Sequence, residues 1–373
     1  MKIALVVPGG VDRTGEYRVI PALLALISRL SARHQIDVFA LRQEEDPGSW
    51  HLAGARIHNI GRGNTRLRAV RAIYDQHRSG AFQLVQAIWS GAPGQVAVAV
   101  ARMLGIPSCV HLGGGELVAL PDIRYGGRLG WRGRVREAVV LRAANAVTAA
   151  SSGMIESLAR LGIAARRVPL GVDLQIWPPR EPVRRPPSGP ARLIHAASLN
   201  RVKDQPTLLR ALALVAQSGL EFELDVVGED TLRSEMQALT LRLGLSRRVR
   251  FHGFLTQARL RPLVESAHLM LISSRHEAGP LVVLEAATVG VPTVGTAVGH
   301  VAEWAPAAAV AVPVADPAAL ARAIIGMLGD EDARLRLARE AWQRATREDA
   351  DYTARSFEAL YSAVLHAPRR RCR

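Results

Sequence analysis

Cysteine is almost absent. Cys109 and Cys372 are the only two in 373 residues, one in an apolar run and the other in a basic tail. Neither a disulfide framework nor a thiolate metal cluster can be built from them, which fits a reducing, cytoplasmic setting. Aromatics are scarce at 5%. Ala, Val and Leu fill the apolar positions instead, a palette suited to parallel sheets covered by helices. No uncharged apolar run reaches the roughly 18 residues that a membrane span needs. The run from Ile3 to Val7 behind Met1-Lys2 is too short for a secretory signal. Metal ligands at conventional spacing are also missing. Asp349-Ala350-Asp351 has a DxD spacing, but no strand precedes it; it reads as a solvated helix cap, and no metal is expected.

Positive charge is abundant: 48 Lys and Arg against 33 Asp and Glu give a net charge of +15. Such a balance implies an anionic partner, whether nucleotide, phospholipid surface or nucleic acid, unless it reflects only an Arg-rich composition. No nucleic-acid recognition motif is present, so nucleic acid is set aside. Arg124, Arg128, Arg132, Arg134, Arg136 and Arg142 surround Trp131. The stretch reads either as a charged helix face or as a surface for anionic lipid or a phosphorylated acceptor. Arg369-Arg370-Arg371-Cys372-Arg373 reads as a basic tail with surface affinity.

Short apolar runs alternate with helical patterns along the chain. Strands are expected at Ile3–Val7, Ile36–Leu41, Leu84–Ala87, Ser108–Leu112 and Ala146–Ala150, and helices at Ile20–Leu30, Gln95–Leu104 and Met154–Leu161. Six prolines among the thirteen residues Pro178 to Pro190 interrupt the pattern, because proline lacks an amide proton and fixes φ. Alternation then resumes, with strands at Leu193–Ala197, Glu223–Val227, Val249–Phe251, Leu269–Ile272 and Thr293–Gly295. Helices are expected between them and over Pro317–Leu328, Ala333–Arg344 and Tyr352–His366. Repeated strand–helix alternation implies doubly wound parallel sheets. The expected organisation is a Rossmann-like domain over 1–177, a Pro-rich linker over 178–191 and a second Rossmann-like domain over 192–345. A C-terminal helix and basic tail over 346–373 would turn back toward the first domain. In such sheets ligands bind beyond the carboxyl ends of the strands, so the strand-to-helix loops carry the chemistry.

One loop stands out: Ser273-Ser274-Arg275-His276-Glu277-Ala278-Gly279-Pro280-Leu281-Val282-Val283-Leu284-Glu285-Ala286. It follows a strand and opens a helix. Pro280 suits the first turn, where a missing amide costs nothing, and the free amides near Leu281 and Val282 form an anion site. Gly279 lets a ligand approach the backbone. Glu285 lies roughly 7.5 Å along the helix axis from Pro280. A diphosphate at the helix start would therefore have a carboxylate toward each end, and carboxylates accept well from sugar and ribose hydroxyls. Two solvated glutamates at an ordinary helix start are the plainer reading, which the Gly-Pro step, the preceding strand and Gly290-Val291-Pro292 make less apt.

The segment resembles the E-x7-E region of the GT4 family of glycosyltransferases. Further stretches are similar in the same order: Val147 to Ser151 through Val168 to Asp173, Ala197 to Asp204, Phe251 to Phe254, and Gly290 to Gly299. The resemblance implies a GT-B fold, two doubly wound parallel-sheet Rossmann-like domains facing a central cleft. It also implies a retaining transferase that moves a sugar from a UDP- or GDP-sugar to a glycan, glycolipid or other hydroxyl acceptor without a cofactor. By that likeness Glu277 contacts the donor sugar, Glu285 the nucleotide ribose and Lys203 the diphosphate. Further donor contacts fall on Ser198, Arg201, Gly228, Phe254, Leu255, Gly279, Pro280, Leu281 and Val282. Many relatives carry Arg where this chain has Ser198, and Arg201 is the nearest substitute. In the first domain, Pro8-Gly9-Gly10-Val11 follows the first strand, where Gly9 and Gly10 let backbone approach a phosphate or acceptor sugar. His111, at a strand end beside Gly113-Gly114-Gly115, matches a histidine that contacts the transferred sugar in relatives. Two other functions stay open at this point: a nucleotide-sugar epimerase of the same fold, and a nucleotide-sugar-binding protein with a lapsed site. Peripheral contact with an anionic membrane face is compatible with each.

Overall fold

Strands form where short, β-branched-rich apolar runs are buried on both faces, and helices form where apolar residues recur every three or four positions. The computed structural model describes residues 1–186 and 188–367, and these sort into two units. One is Met1–Gly171 together with the C-terminal helix Ala350–His366; the other is Val172–Asp349. Arg369–Arg373 lie outside the described residues. Among the described residues, no helix is long and apolar enough to cross a membrane.

The first unit holds β1 (Lys2–Val7), β2 (Gln35–Ala40), β3 (Gly48–Leu52), β4 (Ala55–Asn59), β5 (Leu84–Ile88), β6 (Ser108–Leu112), β7 (Ala146–Ala149) and β8 (Arg166–Arg167). Their order in the sheet is β3-β4-β2-β1-β5-β6-β7-β8. The pairings are parallel apart from β3–β4, an antiparallel edge hairpin. That hairpin departs from the expected all-parallel sheet. Its turn residues Ala53 and Gly54 both have positive φ (52° and 79°), the twist that two-residue hairpin turns require. Ile3, Leu5, Val38, Ile57, Leu84 and Ile88 form a core with Phe357, Leu360 and Tyr361 of the C-terminal helix. Thr353 fastens that helix: its hydroxyl donates to the Pro169 carbonyl (2.7 Å) and accepts from the Gly171 amide (2.9 Å). Asp351 of the DxD-like triplet pairs with Arg29.

The second unit is parallel throughout: β9 (Ala191–Ala196), β10 (Phe222–Val227), β11 (Val249–Gly253), β12 (Leu269–Ile272), β13 (Thr293–Thr296) and β14 (Val310–Val312), in the order β11-β10-β9-β12-β13-β14. Strand order reverses between β9 and β12. The loops leaving these two adjacent strands therefore open side by side, the position at which doubly wound sheets bind ligands.

Two boundaries differ from expectation. The first unit ends before Val172, not after 177, because Val172 and Trp177 are buried with Ile194, Met270 and Val283 of the second. The Pro-rich segment is no free linker either; Pro187 aside, which lies outside the described residues, it is strapped to the second unit. The Arg180 amide donates to the Thr288 carbonyl (3.0 Å) and the Arg185 amide to Glu331 (2.7 Å). The buried Arg334 guanidinium donates to the Val183 carbonyl (2.6 Å). Prolines remove competing amides, and these polar groups of the strap are met by the Thr288 carbonyl and by Glu331 and Arg334 of the Glu331–Arg347 helix.

Candidate functional site

The chain leaves β9 through Ala197–Lys203 and β12 through Ser273–Pro280. Backbone and hydroxyl contacts stitch these loops together: Ser273 Oγ donates to the Lys203 carbonyl and the Arg275 amide to the Val202 carbonyl, each at 2.8 Å. Their side chains then converge. Lys203 Nζ lies 2.6 Å from Glu277 Oε1, which also accepts from Ser274 Oγ at 2.6 Å. Both members of the ion pair are largely shielded from solvent, which strengthens their attraction over that of a surface pair. Pro280 caps the Leu281–Thr288 helix in an extended conformation, so the helix begins one residue after the expected start at Pro280. The amides of Leu281 and Val282 fall in the first turn, where no helical carbonyl precedes them.

Glu285 lies inside that helix and is 2% exposed. Burial raises its pKa from 4.5 to about 7, and a hydrogen bond from Gln257 works in the opposite direction. Gln257 opens the Gln257–Ser266 helix, just beyond Phe254 and Leu255. Leu255 packs on the core, and the Phe254 ring is half exposed.

The lysine loop rests on an ordered polar floor. A Cβ on Gly228 would lie 2.0 Å from the Ala197 carbonyl oxygen and 2.8 Å from the Ser198 nitrogen. With φ at +151° as well, only glycine fits there. Buried His195 is held neutral with a pKa lowered to about 4, first by burial and further by the charge of Lys203. Its Nδ1 donates to the Leu271 carbonyl (2.9 Å), which leaves Nε2 to accept from Gln205 (3.2 Å). The same Gln205 nitrogen donates to the Ser198 carbonyl (3.1 Å). The side chains of Ser198 and Arg201 are exposed.

Gly9, Gly10 and His111 belong to the first unit. The amides of Gly10 and Val11 donate to Gln43 Oε1 at 2.7 and 3.0 Å. Gly9 packs beside the same oxygen, 3.2 Å from an added Cβ. The Gly10 amide, expected to face a phosphate or sugar, is therefore already engaged by a side chain of its own unit. Buried Asp12 braces this loop through Thr14, Arg18 and Gln43. Burial opposes its charge, but these hydrogen bonds outweigh burial and its pKa lies below the ordinary value.

The three-glycine loop is filled in the same way. Glu116 accepts from the Gly114 amide (2.7 Å) and the Ser90 amide (3.3 Å), so its own carboxylate occupies the nest that an anion would use. His111 lies within β6 and is fully buried, with its pKa lowered to about 3 by burial. Its Nδ1 meets Thr148 Oγ1 at 3.0 Å. Its Nε2 is buried without a partner, 3.5 Å from where a Cβ on Gly113 would stand. Beside this loop Glu137 is buried, one oxygen 3.4 Å from Arg128 and the other unpartnered, with a pKa raised to about 7 chiefly by burial.

Residue patterns did not bring forward Gln43, Glu116, Glu137, His195, Gln205, Gln257 or Trp177, which act mainly through partners on other elements of the fold. One composition signal was available for Lys203. It and Lys2 are the only two lysines among 48 basic residues, so a lysine in a strand-to-helix loop of this chain is unusual.

Two family models match in tandem: a glycosyl transferase 4-like domain over residues 19–172 and glycosyl transferases group 1 over residues 180–344. The chain belongs to this glycosyltransferase family. Among its relatives, a glycogen synthase of Mycobacterium tuberculosis is 31% identical over 202 residues, 53% of this chain and 48% of the relative. The match thus spans about half the length of that curated protein. In three dimensions this glycosyltransferase-family chain is similar to sucrose-phosphate synthase from Thermosynechococcus elongatus, with a TM-score of 0.83 at 20% identity over 99% of this chain and 100% of the other. It is also similar to HepE of Anabaena, solved with UDP, with a TM-score of 0.73 at 18% identity over 97% and 100%. At these identities the likeness establishes the GT-B fold.

Proposed function

We propose that the chain transfers a glycosyl group from a nucleoside-diphosphate sugar to a hydroxyl acceptor, with retention at the anomeric carbon. The observation that carries this is the Lys203–Glu277 pair at the start of the Leu281–Thr288 helix, placed where β9 and β12 part. A donor diphosphate would take Lys203 and the first-turn amides, and it would free Glu277 to accept from hydroxyls of the donor sugar. Charge grows on the leaving phosphate as the glycosidic bond breaks, and a fixed cation and aligned amides stabilise that charge. These groups suffice without a metal. Glu285 would accept from the ribose. His111, neutral and with Nε2 unpartnered, would meet a hydroxyl of the transferred sugar.

The acceptor hydroxyl attacks the anomeric carbon on the face from which the diphosphate departs. A phosphate oxygen takes its proton, so no carboxylate nucleophile is needed. The matched relatives favour a transferase over an epimerase. Ser198 leaves Lys203 and exposed Arg201 as the loop's cations, which is enough for turnover in this reading rather than for binding alone. The acceptor is a glycan or glycolipid. The exposed Trp131, Val135 and Val139 on the basic Trp131–Ala143 helix suit a glycolipid presented at an anionic membrane face.

Thermal-shift titration with UDP-, GDP- and ADP-sugars tests the donor site, because a bound donor stabilises by mass action. A saturable shift with one base is expected; no shift with any of them would refute the proposal.

A further inference from the structure

Two consecutive serines follow β12, and their hydroxyls go to different partners. Ser273 Oγ donates to the Lys203 carbonyl at 2.8 Å. Ser274 Oγ donates to Glu277 Oε1 at 2.6 Å. Both serines are fully buried, so neither hydroxyl can exchange its partner for water at little cost. A serine hydroxyl has one proton to give. Each of these is committed to one arm of the Lys203–Glu277 pair.

The backbone at Ser274 is fixed from a neighbouring strand. Thr296, the last residue of β13, donates from Oγ1 to the Ser274 carbonyl at 2.6 Å. Gly299 backs Glu277: a Cβ there would stand 3.1 Å from the Glu277 Cβ and 3.2 Å from its carbonyl oxygen. Serine and glutamate are thus set against each other by main chain that has little room to shift. Glu277 receives the hydrogen bonds of Lys203 and Ser274 on the same oxygen, Oε1. Among the described residues, Oε2 takes none. The Glu277 side chain is 12% exposed. A carboxylate so shielded needs a donor when its cation leaves, and Ser274 is in place to be that donor.

We propose that the two adjacent hydroxyls are positioning groups for separate halves of the donor: Ser274 holds Glu277 for the sugar, and Ser273 holds the Lys203 loop for the diphosphate. This rests on the reading of Glu277 as the sugar ligand and Lys203 as the diphosphate ligand. When Lys203 turns to the diphosphate, the Ser274 bond keeps Oε1 engaged and leaves Oε2 to accept from one sugar hydroxyl. With alanine at 274, the departing lysine leaves a carboxylate that no protein hydrogen bond orients, and that hydroxyl is read poorly. Alanine at 273 spares the carboxylate. It loosens the main chain at Lys203 instead, so the ammonium group meets the diphosphate less squarely.

The test uses the whole chain and isothermal titration. The ligands are UDP, GDP and ADP, their sugar conjugates, and analogues of the tightest-binding conjugate that each lack one sugar hydroxyl. The native chain should bind one such analogue about tenfold or more weaker than its parent. Ser274→Ala should shrink that ratio to about threefold or less and leave affinity for the nucleoside diphosphate within about twofold of native. Ser274→Cys, which keeps the shape but donates weakly, should move the ratio in the same direction. Ser273→Ala should do the reverse, keeping the ratio and weakening the nucleoside diphosphate by about threefold or more. A native ratio in Ser274→Ala would overturn the inference alone. So would loss of nucleoside diphosphate binding in that variant, the same pattern of losses in both alanine variants, or a native chain indifferent to every sugar hydroxyl. Failure of the native chain to bind any of the three nucleoside diphosphates would overturn the donor reading and this inference with it.

Discussion

Lys203 has two duties that pull on one ammonium group. Without a donor it neutralises Glu277 at 2.6 Å; with one, in the proposed mechanism, it turns to the diphosphate. Lys203→Ala should lower kcat by roughly 10²–10³-fold, the scale of losing one preorganised charge-stabilising group, and steady-state kinetics with the preferred donor would measure it. Glu285 gives a second outcome. Its pKa is about 7 in the folded chain against 4.5 ordinarily, so the folded state keeps a proton that the unfolded chain releases between those values. Its contribution to stability is present below the ordinary pKa and is lost as pH rises toward 7. Glu285→Gln should therefore flatten the fall in urea midpoint between pH 5 and 8. Nucleotide binding should run the other way and strengthen as the carboxylate ionises. At this scale the sequence was partly legible. Glu277 and the Gly-Pro step stand out because they share one strand–loop–helix stretch, whereas Lys203, 74 residues from Glu277, stands out through the family resemblance. Gln43 bonds Gly10 across 33 residues and Trp177 bonds Gln257 across 80, and nothing in a one-dimensional pattern encodes such pairings.

Elements show the same division. Strands buried on both faces, such as Ile3–Val7 and Leu269–Ile272, are readable because continuous apolar runs leave few alternatives. The β3–β4 hairpin is not: Ser49-Trp50-His51-Leu52 is half exposed at a sheet edge, where burial does not impose a strong alternation. The Thr65–Ser79 helix escaped for the same reason, burying only Thr65, Ala69 and Ile73. Gly228 links element geometry to the site. Gly228→Ala forces a methyl to within 2.0 Å of the Ala197 carbonyl oxygen, so β9 and β10 must part at their carboxyl ends. We expect a loss of roughly 2–4 kcal/mol in chemical denaturation, with weakened nucleotide binding in the fraction that folds, because the Ser198–Lys203 loop would move.

Charge is a property of the whole molecule. Trp131, Val135 and Val139 are 64%, 52% and 59% exposed at i, i+4 and i+8. Exposed Arg132, Arg134 and Arg136 flank them. On a chain of net charge +15 this stripe should bind vesicles rich in phosphatidylglycerol, with affinity that falls steeply with salt. Replacing Trp131 and Val135 by Ser should weaken co-sedimentation by about tenfold. Equal binding to phosphatidylcholine vesicles would count against the membrane reading.

The C-terminal helix packs with Met1–Gly171, whereas Val172–Asp349 is one uninterrupted stretch. Protease nicks after Gly171 and after Asp349 would thus leave the second unit as a single peptide. The first would become two peptides joined without a covalent link, by the packing of Phe357, Leu360 and Tyr361, the Thr353 clamp and ion pairs such as Arg29–Asp351 and Arg33–Glu358. On a native gel those two pieces should migrate together, and they should separate only when denaturant dissolves that seam.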